Sequence, residues 1–290
     1  MKVVYSPGYE VNLGQHPFVT KKYRMIKEKL SKEFPDIEFV NPQPVDIKVL
    51  LKVHTKEYVE KVLNLQLSYE EILRLEIPLT KEIVDAALCC VDGTILATEL
   101  ALKQNVGIHI GGGFHHAYTD HGEGFCIFND IACAIKIAEE KYGIKKFAVV
   151  DADLHQGNGT AKIFENNKNV FTFSIHQKEI YPWPKEKSTL DIEVTSGTED
   201  KEYLFLFEQG LEKVKKFSPE IVFYQAGVDI YENDQLGSLK ISKNGILTRD
   251  KLVKKYFSDV PIVITLGGGY AVDVNDTVEL HYNTIKTFIC

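Results

Sequence analysis

No disulfide framework, membrane span or nucleotide cradle is written into this sequence, and each absence removes a class of function. The five cysteines are odd in number and include no Cys-x-x-Cys pair, which speaks against both a disulfide scaffold and a structural zinc knuckle. Cys89, Cys90 and Cys133 fall among apolar residues at helical spacing and read as small core fillers. No apolar run approaches the roughly 20 residues that cross a bilayer. Met1-Lys2-Val3-Val4-Tyr5 lacks the basic start and apolar stretch of a secretory leader. The expectation is a cytoplasmic protein with no membrane partner. Basic charge is in deficit, with 34 Lys and Arg against 41 Asp and Glu and a net charge of −7, so nothing marks a nucleic-acid surface. Neither Gly111–Gly113 nor Gly267–Gly269 has dinucleotide-fingerprint spacing or the Gly-Lys-Ser/Thr of a P-loop, and no Gly-x-Ser-x-Gly elbow occurs. No linker-like composition or fixed-period repeat divides the chain. Residues 1–290 therefore read as one domain.

What is present is a large apolar fraction, 44% of 290 residues, enough for a substantial core. Short β-branched runs bounded by turn or polar residues read as buried strands: Val3–Tyr5, Val106–Ile110, Phe147–Val150, Val170–Ser174, Ile221–Gln225 and Pro261–Leu266, with Leu190–Thr195 weaker. Helical spacing marks Pro17–Lys29, Lys56–Leu65, Lys81–Lys103, Asp130–Tyr142 and Lys201–Lys216. Strands of continuous hydrophobicity separated by helices predict an α/β fold, a parallel sheet covered on both faces.

In such sheets ligands bind beyond the carboxyl ends of the strands. Four predicted strands run straight into polar or glycine-rich segments. They are Gly111-Gly112-Gly113-Phe114-His115-His116, Asp151-Ala152-Asp153-Leu154-His155, Ala226-Gly227-Val228-Asp229 and Gly267-Gly268-Gly269-Tyr270. If Asp153 faces the crevice, alternation places His155 on the same side. With Asp229 as a third donor they make a set that suits zinc with an open coordination position. Two carboxylates and one imidazole also admit Fe²⁺, Co²⁺ or Mn²⁺.

A hydrolytic metal site needs a base for water and an acid for the leaving amine. His115 and His116 have the side chain suited to both tasks near neutrality. Asp151 is placed to accept a ring N–H and raise the basicity of one imidazole. Asn158 is placed to orient the other without adding charge. Tyr270 offers a phenol to an oxyanion. Each motif taken alone has a plainer reading: an Asp that caps a helix, a loop of histidines, a flexible Gly-Gly-Gly-Tyr turn. Their joint arrival at the ends of successive strands favours the chemical one.

These segments, together with Gly124-Phe125-Cys126-Ile127-Phe128-Asn129-Asp130 and the continuation Gln156-Gly157-Asn158-Gly159, resemble the histone deacetylase superfamily, in order along nearly the whole chain. Tyr5-Ser6-Pro7, His16-Pro17-Phe18, Gly197-Thr198-Glu199-Asp200, Asp234-Gln235-Leu236-Gly237 and the Asn at 158 are similar to the class IV branch. The resemblance implies the arginase/deacetylase fold with about eight parallel strands. It implies Zn²⁺ on Asp153, His155 and Asp229, tandem histidines His115 and His116 with His115 paired to Asp151, and Tyr270 as oxyanion donor. Gly124, Phe125, Tyr181, Leu236 and Gly268 would line the substrate tunnel, with Phe125 and Tyr181 as its aromatic walls. Asp151, Asp153, His155, Ser174 and Ile175 would match a structural K⁺ site, beside which His176 is structural.

The implied activity is removal of an acetyl or longer acyl group from lysine, in a peptide or as a small acyl-amine. No residue evidently matches the acidic loop side chain with which class I enzymes grip the peptide backbone. Leu236 stands where polyamine-specific relatives carry Glu, which favours an acyl-lysine over an acetylpolyamine. An arginase-like ureohydrolase would need further carboxylates to bridge two metals, and only Asp234 lies near Asp229. A non-catalytic acyl-lysine binder would need no general base.

Overall fold

In the computed structural model, which describes residues 1–290, eight strands form one wholly parallel sheet. They are β1 (Lys2–Val4), β2 (Glu38–Val40), β3 (Val106–His109), β4 (Phe147–Asp151), β5 (Val170–Gln177), β6 (Leu190–Val194), β7 (Ile221–Gln225) and β8 (Ile262–Thr265). Their spatial order is β2-β1-β3-β8-β7-β4-β5-β6. The four strands that lead into the polar segments, β3, β8, β7 and β4, are thus consecutive neighbours at the centre. That adjacency brings segments more than a hundred residues apart to one edge.

Alternation along each strand explains why the runs are apolar throughout. Phe147 and Val149 enter one core while Ala148 and Val150 enter the other, and Ile221 and Phe223 oppose Val222 and Tyr224 in the same way. Ten helices accompany the sheet: α1 (Lys22–Glu33), α2 (Ile47–Leu50), α3 (Lys56–Leu63), α4 (Tyr69–Leu75), α5 (Lys81–Gln104), α6 (Asp130–Tyr142), α7 (Asn158–Phe164), α8 (Asp200–Phe217), α9 (Lys243–Tyr256) and α10 (Val274–Ile289). Helices α3, α5 and α6 contribute to one core; α1, α8, α9 and α10 contribute to the other. No helix is long and apolar enough to cross a membrane.

Local signals set the helix ends. Thr80 caps α5 through Ile83 N, and Asn105 closes it in the left-handed region. Ser68 and Glu71 form a reciprocal capping box on α4. The expected helix at Pro17–Lys29 instead starts at Lys22 and runs to Glu33, because His16 and Phe18 are drawn into aromatic contacts with Phe125. Strand β2 has no counterpart among the expected strands. It is three half-exposed residues on an edge, too short for its alternation to register.

One buried cation ties a helix to the strand ends. Arg249 on α9 is fully buried. It donates to Gly227 O at 2.5 Å, Ala152 O at 3.4 Å and Asp250 Oδ1 at 2.9 Å. Asp250 also accepts from Tyr224 and Thr284. Removing one partner of such a pair strands the other charge. Arg249→Met is expected to lower unfolding free energy by about 3 kcal/mol, read as a lower urea midpoint. An unchanged midpoint would remove Arg249 as the anchor of these loops.

Candidate active site

Strand β4 ends at Asp151, so simple alternation does not carry Asp153 and His155 to one side; the loop after it does. Asp151 Oδ1 accepts from Asp153 N at 3.2 Å, and Asp229 Oδ1 accepts from Leu154 N at 3.0 Å. The loop that follows β7 therefore grips the loop that follows β4. In this arrangement His155 Nδ1 lies 3.4 Å from Asp153 Oδ1 and 3.2 Å from Asp229 Oδ2. One donor atom from each of the three falls within 4.8 Å of the others.

The third contributing loop must come very close. Gly268 N donates to Asp153 Oδ2 at 2.8 Å, and a Cβ at Gly268 would collide with the Asp229 carboxylate. Only glycine allows that approach.

Asp229 Oδ2 is buried, with no hydrogen bond of good geometry and only His155 Nδ1 beside it at 3.2 Å, a costly condition for a carboxylate that a further cation would relieve. An imidazole and two carboxylates facing a common point match the donor set of zinc and of other divalent ions. These residues fit a metal ion. Without one, they share protons. Burial, with the neighbouring Asp153 charge, pushes Asp229 up to about 7. Burial would depress His155, but hydrogen bonding to Asp153 and Asp229 and their negative charges outweigh it and push the imidazole up to about 10.

The two histidines are held in different electrostatic states. His115 Nδ1 is 2.7 Å from Asp151 Oδ2, and His115 Nε2 is 3.8 Å from Asp153. Burial alone would depress it, yet the charges of Asp151 and Asp153 prevail and raise it to about 9. His116 Nδ1 meets Asn158 Oδ1 at 2.7 Å. Burial, reinforced by the positive charges of His115 and His155, holds His116 well below its ordinary value.

The loop bearing both rings is fixed from behind. Asp130, at the start of α6, accepts from Gly113 N and Phe114 N at 2.9 and 2.8 Å. Gln225, the last residue of β7, donates to Gly113 O at 2.6 Å. Asp130 is in turn bonded to Thr94, which meets the buried, neutral His109.

A pocket of about 300 Å³ opens onto this cluster. Phe125, Tyr181, Leu236, Gly124, Gly268 and Tyr270 line it, together with His115, His116, Asp153 and His155. Tyr181 packs edge-on to His116, and Phe125 packs edge-on to Tyr270, with ring centroids 4.9 and 6.0 Å apart. Phe125 sits at φ 69°, a strained conformation for a bulky residue, held by its N–H bond to Leu75 O. Tyr270 N donates to Asp234 Oδ2 at 2.6 Å. Of the residues expected at a K⁺ site, Asp151 and Ser174 pair in register across β4 and β5, and Ser174 Oγ is bonded to His176 Nδ1 at 2.9 Å.

The structure adds residues that spacing did not disclose. Phe18, Tyr23 and Ile180 join the walls, and the exposed Glu76 lines the pocket just after α4. Glu76 puts an acidic side chain at the pocket, a residue that no motif in the sequence singled out. Glu76 follows a polar helix with no motif around it, and only the fold brings it there. Buried Lys22 donates to Gly267 O and Gly269 O, at 3.4 and 3.3 Å, and so braces the loop of Tyr270.

A family model described as the histone deacetylase domain matches residues 16–285. An uncharacterised protein of Picosynechococcus sp. is 34% identical, over 96% of this chain and 95% of its own length. Histone deacetylase 2 of Arabidopsis thaliana is 33% identical, over 93% of this chain and 74% of its own. The crystal structure of a histone deacetylase homologue from Aquifex aeolicus superposes with a TM-score of 0.84 at 22% identity, covering 99% of this chain and 83% of that one.

The proton held by the metal-free cluster gives a test. A metal-ligating imidazole must be neutral and the carboxylates ionised. With His155 raised to about 10 and Asp229 to about 7, binding Zn²⁺ at pH 8 is expected to release about one proton per ion. Affinity should strengthen as pH rises toward 10 and weaken as pH falls. Calorimetric titration in buffers of different ionisation enthalpy measures this; no buffer dependence would show that the three side chains do not take the ion.

Proposed function

Because the chain belongs to the histone deacetylase family, we propose that it hydrolyses the amide of an acylated lysine, with a divalent ion, Zn²⁺ in the first instance, held by Asp153, His155 and Asp229. The observation that carries this reading is the buried Asp229 Oδ2, without a well-formed hydrogen bond and 3.2 Å from His155 Nδ1, where His155 lines a pocket that also presents two histidines of opposed proton affinity. When bound, the ion supplies Lewis acidity toward the acyl carbonyl and toward water.

The residues of the chain then divide the proton work. His116, kept neutral by burial and by its charged neighbours, offers a lone pair to take a proton from the attacking water. His115 holds its proton on the strength of Asp151, stays cationic, and stabilises negative charge growing at the carbonyl. Two titratable groups pushed apart in this manner are the mark of acid and base roles. Tyr270 donates its phenol to the carbonyl oxygen as charge develops there. The proton acquired by His116 goes to the amine as the C–N bond breaks, leaving a carboxylic acid and a free amine.

Substrate class follows from the walls. Phe125 and Tyr181 both line the pocket and offer it aromatic surface suited to the alkyl stem of lysine, and edge contacts fix both rings. Leu236 offers no charge to a second ammonium. Glu76 at the pocket supplies an acceptor for main-chain N–H groups on either side of an acyl-lysine, which supports a peptide over a small acyl-amine. The K⁺ assignment to Asp151, Asp153, His155, Ser174 and Ile175 belongs to the same proposal and is supported by the pairing of Asp151 with Ser174.

Tyr270→Phe is expected to lower kcat on an acetyl-lysine peptide by about 10²–10³ while metal content stays at the wild-type level. Chelation should abolish turnover and Zn²⁺ should restore it. Acetylspermidine, used as the contrast substrate, should be turned over more slowly than the peptide. Full turnover by the chelated protein would overturn the metal-dependent scheme, and faster turnover of acetylspermidine would overturn the assignment to lysine.

A further inference from the structure

Behind His116 stands a carboxylate that neither the metal donors nor the pocket walls require. Asn158, whose Oδ1 meets His116 Nδ1, donates its amide nitrogen to Glu123 Oε1 at 2.5 Å. The same oxygen accepts from the Tyr181 hydroxyl at 2.6 Å, and Oε2 lies 3.5 Å from His121 Nε2. The Glu123 side chain is 14% exposed, and His116 and Asn158 are buried.

These contacts form a chain with only one consistent polarity. An asparagine can present either end of its amide, and a neutral imidazole can present Nδ1 as donor or as acceptor. Asn158 alone would therefore leave His116 undetermined. An ionised carboxylate only accepts. Burial tends to raise Glu123, but hydrogen bonds from His121, Tyr181 and Asn158 hold it below its ordinary value, so it is ionised at neutral pH. The NH₂ end of Asn158 must then face Glu123, its oxygen must face His116, and His116 Nδ1 must carry the hydrogen. Nε2 is left with its lone pair.

We propose that Glu123 is a positioning residue that acts through Asn158 to fix His116 in the Nδ1–H form, with Nε2 as a free acceptor toward the pocket. This rests on the reading of His116 as the base. The arrangement differs physically from that of His115, whose Nδ1 meets the carboxylate of Asp151 directly. A carboxylate in contact favours the imidazolium, whereas an amide interposed between ring and charge imposes direction while leaving the ring neutral.

The test uses the zinc-loaded protein, steady-state kinetics on an acetyl-lysine peptide, and long-range ¹H–¹⁵N spectra of the histidine rings. In the wild type, His116 is expected to show the Nδ1–H pattern. Glu123→Gln should lower kcat by about 10–100-fold, with little change in KM, and should convert that pattern into a mixture. Asn158→Asp should also lose activity, because it sets two carboxylates against each other. The double variant Glu123→Gln, Asn158→Asp should keep the hydrogen on His116 Nδ1 without restoring the wild-type kcat, because a carboxylate in direct contact also favours the imidazolium. There the amide introduced at position 123 can donate to the carboxylate introduced at position 158, and that carboxylate can still accept from His116 Nδ1. Tyr181→Phe, which removes the other donor to Glu123 Oε1, should leave the His116 pattern as in the wild type.

An Nε2–H pattern in the wild type would overturn the inference without any variant. So would wild-type kcat and spectrum in Glu123→Gln, or loss of the Nδ1 hydrogen in the double variant. A wild-type protein that shows the Nδ1–H pattern but does not deacylate would sink the functional reading and leave the assignment to Glu123 standing.

Discussion

Two aspartates and a histidine converge in a place from which water is largely excluded, and that concentration of charge is the constraint around which the rest is arranged. Carboxylates buried within hydrogen-bonding distance of one another repel and lose their hydration. The metal-free cluster responds by holding protons, with Asp229 raised to about 7 and His155 to about 10. A divalent cation would relieve the same repulsion by replacing those protons. Asp229 Oδ2, buried with no well-formed hydrogen bond and only His155 Nδ1 nearby, is the local sign of that demand.

Satisfying the demand requires three loops to approach more closely than side chains ordinarily permit, and the supporting contacts are correspondingly buried and polar. Gly268 admits its backbone against both aspartates. Arg249 reaches from α9 to the carbonyls of Gly227 and Ala152. Asp130 and Gln225 hold Gly113 from opposite sides, and Lys22 braces the loop of Tyr270 through two carbonyls. Each is an ion or amide whose hydrogen-bonding groups are aimed at backbone atoms of the site loops. Rigid placement of this kind lets dipoles act at a reacting centre without rearranging during the reaction.

The same logic separates the adjacent histidines. Their ring centroids are only 4.1 Å apart, so two positive charges there would repel strongly. Asp151 gives the charge to His115; burial and the charges of His115 and His155 withhold it from His116, whose Nδ1 meets only an uncharged amide. Two side chains of identical intrinsic chemistry are thereby set to different work by what stands behind each Nδ1.

Much of this was legible along the chain. Continuous β-branched runs ending in Asp, His and Gly-Gly-Gly segments are local features, and they marked six of the strands, Leu190–Val194 more weakly, and the residues that gather at the sheet edge. Glycine at 268 and the donor types at 153, 155 and 229 are likewise properties of the sequence. The order β3-β8-β7-β4 is not, because strand adjacency is settled by packing between segments far apart in the chain. Glu76, Lys22 and Glu123 lay beyond reach for the same reason. Each is a charged residue that no local motif singles out, and the partners, Gly267 for Lys22 and Asn158 for Glu123, are reached only through the folded sheet. The chemistry available was set by residue types and spacing. Which nitrogen of His116 carries a proton, and what closes the pocket above it, was decided by tertiary contacts, since a hydrogen-bond direction exists only once both partners are in place.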